Sequence, residues 1–319
     1  MKKASLALLL LLIGGVLYLI YFEGAPEPDL PGVLADQEVQ WDGHIRRYTY
    51  YTPSHLARKP ALVIVGHGSG GSAEQSRAVF GYAFEQLAEQ YGFYVLYPEG
   101  YERHYNGCRK AGPYKANILK IDDVGFIRDT VSTFVAELGV DQSAVFATGI
   151  SNGGQMALRL ALEAPDLVAA VAPVATSMPS NENMDCTASG VPVAFLLMNG
   201  TEDPMNPYMG GTVALYGLLG DRGTVLSSFD TVSYWANLAG HTEGPDTIFL
   251  PDSVSGDNST VEVRRWTSRG RKNVSLYTIV GGGHNAPHPS MRPPRIVGGI
   301  NKDIVAAEEI WGFFQEAVE

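Results

Sequence analysis

The sequence predicts an α/β fold: a mostly parallel central sheet with helices on both faces. Three observations carry this reading. Short apolar runs recur at 61–65, 93–97, 145–150, 168–174, 193–198 and 276–280, without the polar alternation of a half-exposed strand. Segments of helical period lie between several of them. One junction, 145–154, runs from a buried strand through a glycine-flanked serine directly into a helix.

The elements follow in order. Lys2 and Lys3 precede an almost unbroken apolar run from Ala4 to Phe22, close to the length a bilayer core requires. Residues 1–22 are therefore expected to be a signal anchor, with a cleaved signal peptide as the alternative. Residues 23–36, with Pro26, Pro28 and Pro31, read as a linker. Residues 37–319 show no further composition shift or repeat and read as a single domain. Asp42-Gly43 marks a hairpin. Helical spacing covers Ala73 to Tyr91, Asp122 to Leu138, Gly153 to Ala164 and Ala306 to Ala317.

Composition narrows the functional classes. The 319 residues carry a net charge of -11 at pH 7, with 45% hydrophobic and 18% charged residues. No basic footprint exists for nucleic acid, so none is expected as a partner. A membrane partner is expected only through an uncleaved 1–22 segment. The body is expected outside the cytoplasm, periplasmic or secreted. There Cys108 and Cys186, the only cysteines, are expected as a disulfide, two buried thiols being the alternative. The histidines are scattered, no metal-ligand spacing stands out, and no metal site is expected.

The chemistry centres on Gly149-Ile150-Ser151-Asn152-Gly153, which matches a nucleophile elbow. The turn is tight, so small residues must flank the serine, and the helix that follows offers positive potential to an oxyanion. An N-cap serine would not require glycines on both sides after a strand. The elbow implies the α/β-hydrolase fold, in which the chain order is Ser, acid, His. His284 follows a strand and the triple glycine 281–283, and is preferred over His241, read as a helix-end cap, and His288, read as an exposed loop residue. Asp203, in the exit loop of the strand at 193–198, is the expected acid, with Glu202 the near alternative. The oxyanion donors are expected to be the backbone N–H groups of Asn152 and, from the loop His67-Gly68-Ser69-Gly70-Gly71, Ser69, with Gly70 close behind. His67 is expected to order that loop.

These residues resemble those of the polyhydroxybutyrate depolymerase-type esterases, related to secreted feruloyl and acetyl-xylan esterases. The resemblance runs from about Val39 to the C-terminus. It rests on Asp42-Gly43 with Arg47-Tyr48, His67-Gly68-Ser69-Gly70-Gly71-Ser72, Tyr97-Pro98-Glu99-Gly100, Asp122 to Ile127, the elbow with Met156, Gly200-Thr201-Glu202-Asp203, Gly282-Gly283-His284 and Glu309 to Phe314. It implies a Ser–Asp–His triad matching Ser151, Asp203 and His284. It also implies small-molecule or polymeric ester substrates of feruloyl, acetyl or hydroxyalkanoate type, and no cofactor. The sequence departs from the family at Asn285-Ala286-Pro287, where a Trp commonly stands two residues after the histidine, and at Tyr105-Asn106-Gly107-Cys108, with one Cys rather than two. The apolar, Gly-rich stretch 205–233 reads as packing ahead of a lid or pocket wall, and Asp122 and Asp123 as helix capping ahead of shaping the site entrance. Two other readings share these motifs: a peptidase of the same fold, and an inactive binding protein on a hydrolase scaffold.

Overall fold

The computed structural model describes Leu19 and residues 21–318. The expected anchor or signal segment, 1–22, lies almost wholly outside them; among the described residues no helix is long and apolar enough to cross a membrane. The strands are β1 (Val33–Trp41), β2 (His44–Thr52), β3 (Leu62–Gly66), β4 (Tyr94–Pro98), β5 (Val145–Ile150), β6 (Ala170–Val174), β7 (Ala194–Gly200), β8 (Gly211–Thr212), β9 (Thr224–Val225), β10 (Asp246–Phe249), β11 (Thr260–Trp266) and β12 (Val274–Val280). The helices are α1 (Ala73–Val79), α2 (Ala83–Tyr91), α3 (Lys115–Ile118), α4 (Asp123–Leu138), α5 (Asn152–Glu163), α6 (Ser228–Leu238) and α7 (Ala306–Glu316).

Ten strands form one sheet in the order β1-β2-β4-β3-β5-β6-β7-β12-β11-β10. The central strands, β4 through β12, pair in parallel, while β1, β2, β11 and β10 pair antiparallel at the two edges. Burial explains the division. Every residue of β3, β4, β5, β6 and β7 is buried, as strands covered on both faces must be. The edges are half-exposed, and β1 joins β2 through Asp42 (φ 48°) and Gly43 (φ 76°), the left-handed pair a two-residue hairpin needs.

Alternation along β5 sends its side chains into two cores. Val145 and Ala147 pack with Phe126, Phe134, Leu158 and Trp235 from α4, α5 and α6. Phe146 faces the other way, toward Phe84 of α2 and Ile310 and Phe314 of α7. Its ring stacks on Phe314 at 4.7 Å between centroids. Each large apolar side chain so buried contributes roughly 1.5–3 kcal/mol.

Two expectations change. The segment 23–36 is not a free tether: β1 begins at Val33, the main chain of Glu23 pairs with that of Arg292, Glu27 bonds Arg77, and the Gly32 N–H donates to the Tyr51 hydroxyl. Prolines impose an extended path, and an extended path lies along a surface as readily as it crosses solvent. The helix expected over 73–91 breaks into α1 and α2 at Gly81 (φ 62°) and Tyr82 (φ 59°), whose left-handed backbone cannot continue a right-handed helix; the His288 ring lies where a Gly81 side chain would stand.

Candidate active site

β5 ends at Ile150, and Ser151 occupies the turn before α5 with φ 55° and ψ -111°. Such a conformation costs of order 1–3 kcal/mol and persists only where the surroundings enforce it. The Ser151 N–H donates to Val174 O at 2.8 Å across to β6. Beneath the turn the main chains of β3 and α5 touch. A Cβ on Gly153 would stand 2.2 Å from Gly66 O, and one on Gly149 would stand 2.6 Å from the same atom. Only glycines permit this approach, which accounts for the spacing of the elbow.

The expected acid and base leave adjacent strands at the same sheet edge, the carboxyl ends of β7 and β12, where sites in such sheets collect. Asp203 Oδ2 lies 2.7 Å from His284 Nδ1. Its Oδ1 accepts from the Met205 and Asn206 N–H groups at 2.7 and 2.8 Å. The Asp203 side chain is fully buried and that of His284 nearly so. A carboxylate ordered this way fixes the Nδ1–H tautomer and turns Nε2 outward. Glu202, the near alternative, is exposed, and its N–H holds Gly282 O. The Glu202 N–H bond and the contact of Gly200 with Gly282 lock the two loops together.

Ser151 and His284 line one cavity of about 260 Å³ with Gly68, Ser69 and Gly71. They are not directly hydrogen-bonded, as is common where such bonds tighten only around substrate. The Asn152 N–H opens α5, a position helix geometry leaves without an intrahelical acceptor. The Ser69 N–H has no acceptor among the described residues, whereas Gly70 N–H is spent on Arg103 O. His67 is buried; its Nδ1 donates to Gly68 O at 2.7 Å and its Nε2 accepts from Gly100 N–H at 3.0 Å. Burial pushes its pKa down to about 4, so it is a neutral strut for the loop 67–71.

The side chain of Asn152 has a role the sequence did not suggest. Its Oδ1 accepts from Tyr105 N–H at 2.7 Å and its Nδ2 donates to Tyr105 O at 3.1 Å, clamping the loop 105–109 to the elbow. That loop is also held by Asp123, which accepts from Asn106 N–H and pairs with Arg46 in the interior. Burial raises the Asp123 carboxyl, and Arg46 opposes the shift. Asp122 caps α4 through Gly125 N–H. Cys108 and Cys186 are joined as a disulfide, and the main chains of Arg109 and Met184 pair beside it.

The stretch 205–233, expected as packing, instead builds one wall of the cavity through Met205, Asn206, Val213 and Arg222. Arg109 and Tyr114 face them. His241 and His288 stand apart from the cavity. The ring of His241 lies against Lys272 O and Ser268 Oγ rather than helix carbonyls, and His288 is buried against Gly81 rather than exposed. Among the described residues no group of three His, Cys, Asp or Glu side chains could hold a metal ion.

Comparison with known proteins bears on this geometry. Residues 46–189 match the family model described as esterase PHB depolymerase. The protein named "Putative esterase NocK" of Nocardia uniformis subsp. tsuyamanensis is 31% identical over 85% of this chain and 80% of its own length. Feruloyl esterase B of Talaromyces funiculosus is 32% identical over 55% of this chain, a match spanning 46% of that enzyme. An acetyl xylan esterase structure from Aspergillus awamori shares the fold with a TM-score of 0.53 and 20% identity, covering 80% of this chain and 95% of that one.

Proposed function

The chain belongs to the PHB depolymerase family of esterases and is a carboxylic-ester hydrolase, and from that premise we propose that it works outside the cytoplasm through a Ser151–His284–Asp203 triad and an acyl-enzyme. The observation that carries the triad is the 2.7 Å bond from His284 to the buried Asp203, with Ser151 on the same cavity at the elbow. His284 Nε2 takes the proton as Ser151 Oγ attacks the ester carbonyl. The Ser69 and Asn152 N–H groups receive the oxyanion. His284 returns the proton to the departing alcohol, then activates the water that hydrolyses the acyl-enzyme. Feruloyl, acetyl and hydroxyalkanoate esters are the candidate substrates, on the strength of the named relatives. The basic start with its long apolar run and the Cys108–Cys186 bond support an extracytoplasmic site of action.

The test is Ser151→Ala against a panel of p-nitrophenyl acyl esters, methyl ferulate and acetyl-xylan, with a fluorophosphonate probe alongside. The triad requires a loss of several orders of magnitude in rate and of labelling. Retention of most esterase activity refutes it.

A further inference from the structure

Arg109 is only 6% exposed, yet it lines the cavity beside Ser151. Among the described residues no carboxylate pairs with its guanidinium and no oxygen accepts from it. A second guanidinium, Arg222, lines the same cavity. Its Nε donates to the Tyr114 hydroxyl at 2.6 Å and its Nη1 to Gly220 O at 2.9 Å, which leaves Nη2 without a partner there. The Tyr114 hydroxyl in turn lies 2.9 Å from Ser69 Oγ, so the cationic wall is bonded to the oxyanion loop. Among the described residues that line this cavity none is acidic.

Two like charges at a shared cavity, one of them buried, disfavour each other and the fold unless something supplies the anion. Burial and the neighbouring Arg222 lower the Arg109 pKa to about 10, with Tyr114 opposing, so the group stays cationic at neutral pH. The placement is fixed rather than incidental. The main chain of Arg109 is tied through the adjacent disulfide, through its pairing with Met184 and through Asn117 Nδ2 donating to its carbonyl. Arginine, unlike lysine, offers a planar fork that takes a carboxylate through two parallel hydrogen bonds. Arg109 and Ser151 line the same cavity of about 260 Å³, the scale of one small molecule or monomer unit, so a single ligand in it reaches both.

We propose that this cavity selects esters carrying a carboxylate a few bonds from the scissile carbonyl, with Arg109 as the carboxylate's partner and Arg222 as a second positive charge. The proposal rests on the reading of Ser151 as nucleophile. The carboxylate is a spectator in the reaction: the acyl C–O bond of the ester and one O–H bond of water break, the hydroxyl going to the acyl carbon and the proton to the alcohol. The selection is local, because the net charge of -11 repels anions in general.

Two substrate pairs test it, each an anion and its neutral amide. Monomethyl adipate against monomethyl adipamate places the charge on the acid side; 4-acetoxybenzoate against 4-acetoxybenzamide places it on the alcohol side. The wild type is expected to favour the anion by about ten- to a hundredfold in kcat/KM in one of the two pairs, which also locates Arg109 relative to the ester. Arg109→Gln is expected to bring that ratio to near one. If that variant does not fold, calorimetry on Ser151→Ala decides the matter: the favoured anionic ester binds and its amide does not. A ratio near one in both wild-type pairs, or equal binding of anion and amide, overturns the proposal. Hydrolysis surviving in Ser151→Ala would sink the triad instead, while the binding comparison still judges the anion site.

Discussion

Gly153→Ala puts a Cβ 2.2 Å from Gly66 O and 2.3 Å from Gly66 C, against ordinary contacts of 3.4 Å or more. The overlap exceeds 1 Å, and the obstructing atoms are backbone at the carboxyl end of a fully buried strand, so no side chain can swing away. Overpacking of this kind costs about 3 kcal/mol, the upper end of its usual range. For a domain of this size that is a fall of roughly 6–12 °C in Tm. Relief requires α5 and β3 to separate, which drags Ser151 and the Asn152 N–H with them; a displacement of roughly 1 Å costs on the order of 100-fold in kcat. Thermal unfolding and p-nitrophenyl ester kinetics read both effects. Gly312→Ala is the control, because on the exposed face of α7 a Cβ there meets nothing within 4 Å, and better helix propensity is expected to stabilise by roughly 0.5–1 kcal/mol. A Gly153→Ala protein with Tm within about 2 °C of wild type and kcat within about threefold would refute the claim that main-chain contact dictates the elbow.

Asp203→Asn keeps an acceptor for the Met205 and Asn206 N–H groups but favours the wrong His284 tautomer. It is expected to lower kcat/KM by roughly 10³–10⁴ with little change in Tm, as a kinetic and thermal comparison would show. His67 stays neutral in the fold to about pH 4, whereas the unfolded chain protonates it near its ordinary 6.5. The unfolded state therefore binds the extra proton as pH falls from 6.5 to 4, and up to about 3 kcal/mol of stability is lost over that window. His67→Gln, which keeps an acceptor for Gly100 N–H, should flatten the pH dependence of the urea midpoint there; an unchanged slope contradicts the assignment. Replacing both Cys108 and Cys186 by Ser opens a loop spanning 78 positions and is expected to cost about 4 kcal/mol, measured by urea denaturation without reductant.

The parallel strands were legible because a strand buried on both faces has to be apolar throughout; β5 was read to the residue. The triad candidates were legible because each follows such a strand, and chain order on this fold does the rest. What stayed hidden depends on distant segments meeting. A cation at position 109 reads as a solvated loop charge, because its burial is made by residues near 183–186 and 222. The one local hint was that it follows a cysteine in a segment departing from the family pattern. The Asn152 clamp was hidden likewise, since Tyr105 lies 47 positions away. β11 carried a period-2 signal, Val261 and Val263 buried between Glu262 and Arg264, but it was too short and too charged to stand out among all-apolar runs.

The proposed nucleophile is held by glycines in the sheet and in α5, while part of one cavity wall, Val213 and Arg222, comes from a single excursion, 207–227, that follows Asp203 and ends at α6. That part of the recognition surface therefore lies on a chain segment separate from Ser151, Asp203 and His284. An insertion, deletion or exchange within that excursion can rewrite what the cavity accepts without disturbing Gly66, Gly149 or Gly153. Lineages sharing this scaffold are free to diverge in substrate by loop replacement, with the acyl-transfer apparatus inherited intact.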